Sequence, residues 1–420
     1  MTKILINIAT RELTENINSE YIELYSDLYI NRWVKIYVFY KSNDDIIESI
    51  DLNRKWIYIF KYKDYNDLEK QIISLHKNND IIFINTFTEL LIDTATNLKI
   101  TLWEKVSDEI SIFRNKEIQR KKLLEFNPNI TVKYLEMNFD NLNISKIEDF
   151  IWYPFIIKPA SWIQSAWVSK INNKNEFNEY INWFQKFIDN FESKWYKSDL
   201  LLIEEYIDWE MYSIDYFVSQ NWDIVISKPV KVVLWTDLWI DDFLNYSRIV
   251  SKWVENELKN NNLNEFITDT VKWAWIRNTF IHHEFKLNSK WELKTIELNW
   301  RIGWFRPWIY KRGYNINLFD FLLLENKNYD LISNDAVINI YSYKRWFLEW
   351  FNQNLISDFN NLDSVVSIKT IESNIWKEVW LTKDWFSRIA VIKLNNKNYN
   401  TFINDYNYIK DKHQKLLNIK

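Results

Sequence analysis

The stretch PFIIKPASWIQSAWVSK, residues 154–170, ends an apolar run with a lysine and continues into a short loop of small and polar residues. The run predicts a strand, and a second strand follows from Val168. Backbone N–H groups in such a loop can form a nest for an anion, and Lys158 adds a positive charge. The arrangement suits a di- or triphosphate, although many ordinary hairpins also contain Lys and Ser.

Two later segments carry carboxylates. The segment LLIEEYIDWE, residues 201–210, is an apolar strand with an acidic end, which alone is a weak signal. The segment HHEFKLNSKWELKTIELNWRIGWFRP, residues 282–307, predicts two strands joined by a turn, with Glu284 and Glu297 side by side. Because Glu297 and Asn299 are two residues apart, they share one face of a strand. These hard oxygen ligands suit Mg²⁺ (or Mn²⁺) that bridges phosphates, whereas the alternative is an ordinary polar sheet face.

Tryptophan occurs in this chain where glycine is expected. The 420 residues include 24 Trp and 2 Gly, whereas Gly alone averages about 7% in soluble proteins. Trp162, Trp167, Trp209 and Trp222 fall in predicted turns, where a positive φ favours glycine. We therefore hypothesise that the gene encodes glycine by UGA and that the sequence reads this codon as tryptophan. The alternative is a truly Trp-rich protein, for instance with a sugar-binding surface, but binding tryptophans should not cluster at turns.

Composition excludes several classes of protein. A net charge of −4 gives no bulk attraction to nucleic acid or to an anionic membrane. The absence of Cys excludes a disulfide scaffold and a thiolate metal site. The N-terminal apolar run is too short for a signal peptide, and no run approaches a membrane span. We expect a cytoplasmic protein with neither nucleic acid nor a membrane as partner.

The order of predicted elements divides the chain into three parts. Residues 1–105 alternate strands and helices, which predicts an α/β layer with a parallel sheet. The predicted strands are Lys3–Ala9, Val34–Tyr40, Ile57–Phe60 and Ile81–Asn85. This part has no GxGxxG-like loop, so we do not expect it to bind a dinucleotide. Residues 107–126 predict a charged helix, and Thr131–Leu135 predicts a strand. From about residue 150 to 330 the pattern becomes paired strands with a helix, an α+β pattern. Residues 331–420 return to short strands and helices and predict a small closing subdomain.

With glycine at the suspect tryptophans, the three segments read KPASGIQSAGVSK, LIEEYIDGEM, and HHEFKL followed by IELNGRIGGFRPG. In this order and spacing they resemble the ATP-grasp superfamily, and within it the carboxylate–amine ligases of the L-amino-acid-ligase and carnosine-synthase type. The resemblance is good over residues 80–330, where residues 86–89 match the family's T-x-x-E turn and residues 102–103 its L-G pair. A departure is Asn299-Trp300-Arg301, where relatives usually have Asn-Pro-Arg.

The resemblance implies the ATP-grasp fold in three domains. Residues 1–105 would be a Rossmann-like pre-ATP-grasp domain, residues 106–330 the ATP-grasp domain with a lid subdomain at about 130–207, and residues 331–420 a C-terminal subdomain. The residues expected to contact ATP are Lys116, Lys158, Ser161, Ser165, Glu204, Glu205, Tyr206, Ile207 and Glu210. The lysines and the 161–168 loop would hold the phosphates, Glu204 the adenine amino group and Glu210 the ribose. Residues 205–207 would supply hinge backbone contacts.

The resemblance also implies the remaining site residues. Glu284, Glu297 and Asn299 would bind one or two Mg²⁺ ions. Arg301 would stabilise the transferred phosphoryl group, with Lys158 as the other catalytic residue. Arg306 could hold a substrate carboxylate. For His283, which precedes a metal carboxylate, a substrate role competes with a packing role.

The implied reaction phosphorylates a carboxylate to an acyl phosphate, which an amine then attacks with release of ADP and phosphate. The partners would be a small-molecule acid and amine, and a homodimer is possible. One alternative is a biotin-carboxylase-like or purine-pathway-like carboxylase that uses bicarbonate. Another is an ATP-binding protein without ligase activity, against which the full set of predicted catalytic and metal-binding residues argues.

Overall fold

The computed structural model describes residues 1–10, 22–42, 56–103, 115–160, 168–190, 200–238, 244–273, 275–324, 328–342, 346–379 and 388–419. The predicted phosphate loop, with Ser161 and Ser165, lies outside the described residues. So does the first part of the charged helix predicted at 107–126.

The N-terminal part is a parallel α/β layer, as its alternating pattern predicts. Its strands are β1 (Thr2–Ala9), β2 (Lys35–Lys41), β3 (Ile57–Tyr62) and β4 (Asn79–Asn85), and its described helices are α1 (Ile22–Arg32), α2 (Tyr65–Asn78) and α3 (Ile92–Leu102). The strands lie in the order β3-β2-β1-β4 and all pairs are parallel. β1 is buried from Ile4 to Ala9, as expected for a strand covered on both faces.

A four-stranded antiparallel sheet spans the residues predicted as the lid. Its strands are β5 (Tyr134–Asn138), β6 (Phe155–Pro159), β7 (Ser169–Ile171) and β8 (Leu200–Glu205), in the order β5-β8-β6-β7. The helices of this region are α4 (Lys116–Phe126), α5 (Ile144–Phe150) and α6 (Lys174–Asn190). Alternate side chains such as Ile157 and Ile203 pack with Phe177 and Phe184 of α6. Lys158 and Glu204 belong to the opposite face.

The largest sheet is antiparallel and has the order β14-β13-β9-β11-β12-β15-β19-β17, with β10 beside β9. Its strands are β9 (Met211–Val218), β10 (Ile224–Ile226), β11 (Val230–Leu234), β12 (Asn245–Val250), β13 (Thr279–Leu287), β14 (Leu293–Asn299), β15 (Asn334–Ile340), β17 (Val365–Thr370) and β19 (Ala390–Asn396). The helices in this part of the chain are α7 (Lys252–Glu257), α8 (Leu263–Trp273) and α9 (Arg306–Tyr314).

The C-terminal residues add a small sheet with the order β18-β16-β20. Its strands are β16 (Trp346–Phe351), β18 (Glu378–Val379) and β20 (Leu417–Ile419), and the nearby helices are α10 (Gln353–Asn360) and α11 (Tyr399–Lys412). However, β15, β17 and β19 continue the central sheet, so the boundary predicted at residue 330 does not separate two sheets. No helix in the described part of the chain is long and apolar enough to cross a membrane.

Left-handed backbone conformations coincide with tryptophan. Nine described non-glycine residues have a positive φ, and five of them are Trp33, Trp222, Trp275, Trp291 and Trp376. All five side chains are exposed, so packing does not explain why a bulky residue stands there. The conformation costs an L-residue about 1–2 kcal/mol, which glycine avoids. The coincidence supports the hypothesis that glycine belongs at these positions.

Candidate functional site

A cleft of about 730 Å³ is lined by residues of the lid sheet, the central sheet and α4. The predicted site residues that line it are Lys116, Lys158, Glu204, Glu205, Tyr206, Ile207, Glu284 and Glu297. Val168, the last residue of the predicted phosphate loop, also lines it, and the lining residues without a predicted role are Ile156, Met211, Leu234, Lys286 and Ile296. The cleft thus combines an apolar wall with lysines and carboxylates, which is the usual composition of a small-molecule site.

The two predicted metal carboxylates lie on neighbouring strands, side by side. Glu284 and Glu297 are direct partners in the β13–β14 pair, and both line the cleft, so they share one face as their spacing predicts. Glu297 Oε1 lies 2.9 Å from Lys116 Nζ, and Glu284 Oε1 lies 3.4 Å from His282 Nε2. Asn299 follows on the same strand and is buried, but it does not line the cleft.

This donor set fits a hard divalent cation. Within the described residues, no three His, Cys, Asp or Glu side chains come together as a metal cluster. A cation here would therefore take the carboxylates of Glu284 and Glu297, with Asn299 as an amide donor, and complete its shell with phosphate and water oxygens. Mg²⁺ is commonly bound in this way. Burial opposes the ionisation of Glu297, but Lys116 holds the pKa of this carboxyl below its usual value.

Lys158 and Glu204 form a buried ion pair with Arg120 of α4. Glu204 Oε2 accepts from Lys158 Nζ at 2.7 Å, and its Oε1 accepts from Arg120 Nε at 2.7 Å. Burial opposes ionisation, but the two cations lower the pKa of Glu204 to about 2. Burial lowers the pKa of Lys158 to about 8 in spite of Glu204. A pair buried in this way stays charged because each group has a partner.

Arg120 is a site residue that sequence reasoning missed. Its Nη2 also donates to the Ile296 carbonyl at 2.6 Å, so it connects α4 with both sheets. A signal was present in the sequence, because Arg120 follows Lys116 by four residues and therefore shares its helix face. Lys286 was missed in the same way. It follows Glu284 by two residues, lines the cleft, and donates to the Ile207 carbonyl at 3.0 Å.

Arg301 is held by a residue of the N-terminal part. Its Nη2 donates to Glu89 Oε1, and its Nη1 donates to its neighbour Ile302 O at 3.2 Å. Burial would lower the pKa of Arg301, but Glu89 raises it above its usual value. Glu89 is the last residue of the T-x-x-E turn. The turn therefore supplies the carboxylate that orients the predicted phosphoryl-stabilising arginine.

Asp215 organises the loop that follows β14. It is fully buried, and its carboxylate accepts from Gly303 N at 2.7 Å and from Tyr310 Oη at 3.3 Å. His282 Nδ1 lies 3.3 Å from the same carboxylate. Because His282 also approaches Glu284, it links this buried acid to a predicted metal carboxylate, an arrangement that commonly fixes the orientation of metal ligands.

His283 is a packing residue, in contrast to the substrate role predicted for it. Neighbouring residues of a strand point to opposite faces, so His283 lies away from His282 and Glu284. It is fully buried, its Nε2 lies 3.1 Å from Thr295 Oγ1, and its ring stacks on Phe266 at 4.9 Å. Burial lowers the pKa of His283 to about 3. A neutral imidazole in the core cannot meet a substrate.

Glu210 and Arg306 lie outside the lining of the cleft. Glu210 Oε2 pairs with Lys231 Nζ at 2.9 Å, and half of its side chain is exposed. Arg306 is buried at the start of α9, where its Nη2 donates to Ser213 Oγ. The ribose contact and the substrate-carboxylate contact predicted for them therefore stay predictions.

We expect Gly303→Ala to disturb the site by displacing the side chains that pack against this glycine. A Cβ at this position would lie 2.5 Å from His282 Nδ1 and 2.8 Å from Arg306 Cγ, so both side chains would have to move. Overpacking of this kind costs about 1–3 kcal/mol, which urea unfolding would measure. The matched control is Gly313→Ala, whose Cβ would meet Val250. We expect only the Gly303 variant to change the Mg²⁺ dependence of ATP turnover, and an equal change in both would contradict the role of His282.

A family model matches the part of the chain that contains most of the cleft residues. Residues 151–305 match the family model described as ATP-grasp domain. No curated protein matches the sequence.

Solved structures match the whole chain. An L-amino acid ligase from Bacillus licheniformis has a TM-score of 0.69 at 15% identity, covering 100% of this chain and 98% of that one. The ADP complex of PurK, an N5-carboxyaminoimidazole ribonucleotide synthetase, has a TM-score of 0.67 at 11% identity, with coverage of 99% and 98%. A biotin carboxylase domain of the Hydrogenobacter thermophilus 2-oxoglutarate carboxylase, solved with MgADP and bicarbonate, has a TM-score of 0.59 at 11% identity, with coverage of 100% and 90%. At these identities the likeness shows the ATP-grasp fold.

Proposed function

From the premise that residues 151–305 are an ATP-grasp domain, we propose that the protein is an ATP-dependent ligase that joins a carboxylate to an amine. The observation that carries the proposal is the pairing of Glu284 with Glu297 in a cleft that Lys116 and Lys158 also line. Opposed carboxylates with adjacent lysines are the groups that phosphoryl transfer needs for positioning and charge neutralisation.

The nucleotide would lie between the two sheets. The apolar side chains of Ile156, Met211 and Leu234 line the cleft and suit an adenine ring. The hinge at 205–207 would bind the ring edge through its backbone, with Glu204 near the amino group. Lys116 pairs with Glu297, and Lys158 pairs with Glu204. The ammonium groups of both lysines would also interact with the phosphates. The 161–168 loop would cover them.

Glu284 and Glu297, with Asn299, would hold Mg²⁺, which when bound neutralises the phosphate oxygens of ATP. Arg301 would stabilise the charge on the phosphoryl group, oriented by Glu89. A carboxylate oxygen of the acid attacks the terminal phosphorus, the bond to ADP breaks, and an acyl phosphate forms. The amine then attacks the acyl carbon, phosphate leaves, and the amine loses a proton. The cytoplasmic location and the possible homodimer belong to this proposal as well.

An isotope experiment tests the reaction. The protein is incubated with ATP, Mg²⁺, an amine and a carboxylic acid labelled with ¹⁸O in its carboxylate. We expect one ¹⁸O atom to appear in the released phosphate, because the acyl phosphate passes a carboxylate oxygen to phosphorus. Phosphate without label would contradict the acyl phosphate. ADP release with bicarbonate and no other acid would favour the carboxylase alternative.

We expect Lys158→Ala to weaken nucleotide binding and slow phosphoryl transfer by about 10–100-fold, because a charge-assisted contact is worth roughly 1.5–3 kcal/mol. Titration with an ATP analogue and single-turnover ADP release measure the two effects. Lys174→Ala is the matched control, since this lysine is exposed at the start of α6. An effect of Lys158→Ala confined to the apparent affinity for the amine would contradict its assignment.

A further inference from the structure

Two arginines lie over the ring of Phe305, and a third follows it in the chain. The guanidinium carbon of Arg248 lies 5.4 Å from the centre of the Phe305 ring, and that of Arg388 lies 5.5 Å from it. Arg306, the next residue along the chain, is 1% exposed. Phe305 itself has a φ of 63°, in the left-handed region. Strain of this kind is costly for a bulky residue and concentrates at binding and catalytic sites.

Strand register places Arg248 on the face of the sheet that carries the site. Arg248 pairs with Val232, Val232 pairs with Met211, and Met211 pairs with Lys286. Paired residues of antiparallel strands share a face, and Lys286 is two residues beyond Glu284. Both Met211 and Lys286 line the cleft. Arg248 therefore points to the same side of the sheet as the nucleotide site, three strands away from Glu284.

Arg306 reaches the same face from α9. Its Nη2 donates to Ser213, which is the register partner of Glu284 on the neighbouring strand. Its Nε lies 3.6 Å from Asp215 Oδ2. Nε and Nη1 are buried and have no hydrogen-bond partner in the part of the chain that the structure describes. Buried donors of a guanidinium without acceptors are costly, so a bound anion that accepts from them would be favoured.

Arg248, Arg306 and Arg388 form an arginine cluster whose electrostatics favour an anion. Burial lowers the pKa of Arg248 to about 9, and the charges of Arg306 and Arg388 add to this effect. Glu284 acts on Arg248 in the opposite direction. An anion among the three guanidinium groups would reduce their repulsion and accept hydrogen bonds with the fork geometry that arginine offers.

We propose that Arg248, Arg306 and Arg388 bind a second acidic group of the acid substrate, one that does not react. This inference rests on the proposed ligase function and adds to it a substrate class, namely acids that carry two anionic groups. The reacting carboxylate would lie near Arg301 and Glu284, and the second group would lie beside Phe305. The second group is a carboxylate or a phosphate, because both match a bidentate guanidinium.

Calorimetric titration of the full-length protein tests this subsite in the presence of Mg²⁺ and a non-hydrolysable ATP analogue. The probes are glutarate, 3-phosphopropionate and butyrate, which share a short chain and differ in the second group. We expect at least one dianion to bind about tenfold or more tightly than butyrate, as for a charge-assisted contact. Comparison of the two dianions distinguishes a carboxylate from a phosphate.

Variants test whether the arginine cluster causes the preference for a dianion over butyrate. We expect Arg248→Gln and Arg388→Gln each to reduce the preference for the dianion about tenfold and to leave the affinity for the ATP analogue unchanged. Arg248→Lys should retain part of it, because the charge remains. Arg277→Gln is the control, since this arginine stacks on Trp222 outside the cluster. Arg388 is only half-buried, so its variant remains informative if Arg248→Gln fails to fold.

The outcomes separate the two proposals. Equal affinity for butyrate and both dianions would overturn the subsite, and so would a preference that survives in both glutamine variants. If a dianion binds through the cluster but no acid stimulates ADP release, the subsite stands and the ligase function fails. If acids stimulate ADP release without any preference for a second anionic group, the ligase function stands and the subsite fails.

Discussion

We expect Glu297→Gln to lower Mg²⁺-dependent ATP turnover by about 10³-fold, which corresponds to roughly 4 kcal/mol of transition-state stabilisation. The amide has nearly the shape of the carboxylate but carries no charge. It would therefore weaken the predicted metal site and also remove the partner of Lys116, 2.9 Å away. The turnover rate and the Mg²⁺ concentration for half-maximal rate are the two measurements.

Glu292→Gln is the matched control for this variant. Glu292 immediately precedes β14, is exposed, and bonds to Asn288 at 2.7 Å, so the same chemical change is made outside the cleft. We expect near-normal turnover and an unchanged Mg²⁺ requirement in the control. If Glu297→Gln also kept near-normal turnover with Mg²⁺, the metal carboxylates would have to lie elsewhere.

The second large effect concerns tryptophan. We expect the double variant Trp33→Gly and Trp376→Gly to gain about 1 kcal/mol in the free energy of unfolding, as the net of strain released and contacts and entropy lost. Both residues have a positive φ, 56° and 62° respectively, and both side chains are exposed. Release of roughly 1–2 kcal/mol of strain at each site outweighs the entropy of glycine and the ring contact of Trp33 with Tyr29. Urea unfolding measures the difference.

Trp183→Gly with Trp350→Gly is the opposite case. These side chains are also partly exposed, but they lie inside α6 and β16, where glycine costs roughly 0.5–1 kcal/mol per site relative to Ala. We expect this pair to lose stability. Equal changes in the free energy of unfolding of the two pairs would remove the support that backbone conformation gives to the hypothesis of UGA-encoded glycine. A proteolytic peptide spanning positions 162 and 167 tests it directly, because a mass that carries two tryptophans refutes it.

Local pattern was sufficient for much of the fold. The four N-terminal strands were placed within about two residues, since continuous apolar runs separated by helical periodicity have few other solutions. The Glu284–Glu297 pair followed from a short turn and the period of two in a strand. The predicted ends of strands are less accurate where a local turn precedes them. The strand predicted to begin at Thr131 begins at Tyr134, after a short 3₁₀ turn.

The sequence by itself determined which residue types stand at strand ends and which pairs a hairpin must bring together, because both depend on neighbours a few residues apart. Only the tertiary structure determined which charged side chains pair with each other. Arg120 pairs with Glu204 across 84 residues, and Arg301 pairs with Glu89 across 212. It also placed His283 in the core and Arg248 beside Phe305. These contacts depend on how sheets and helices pack, and no local periodicity encodes a distance between residues so far apart in the chain.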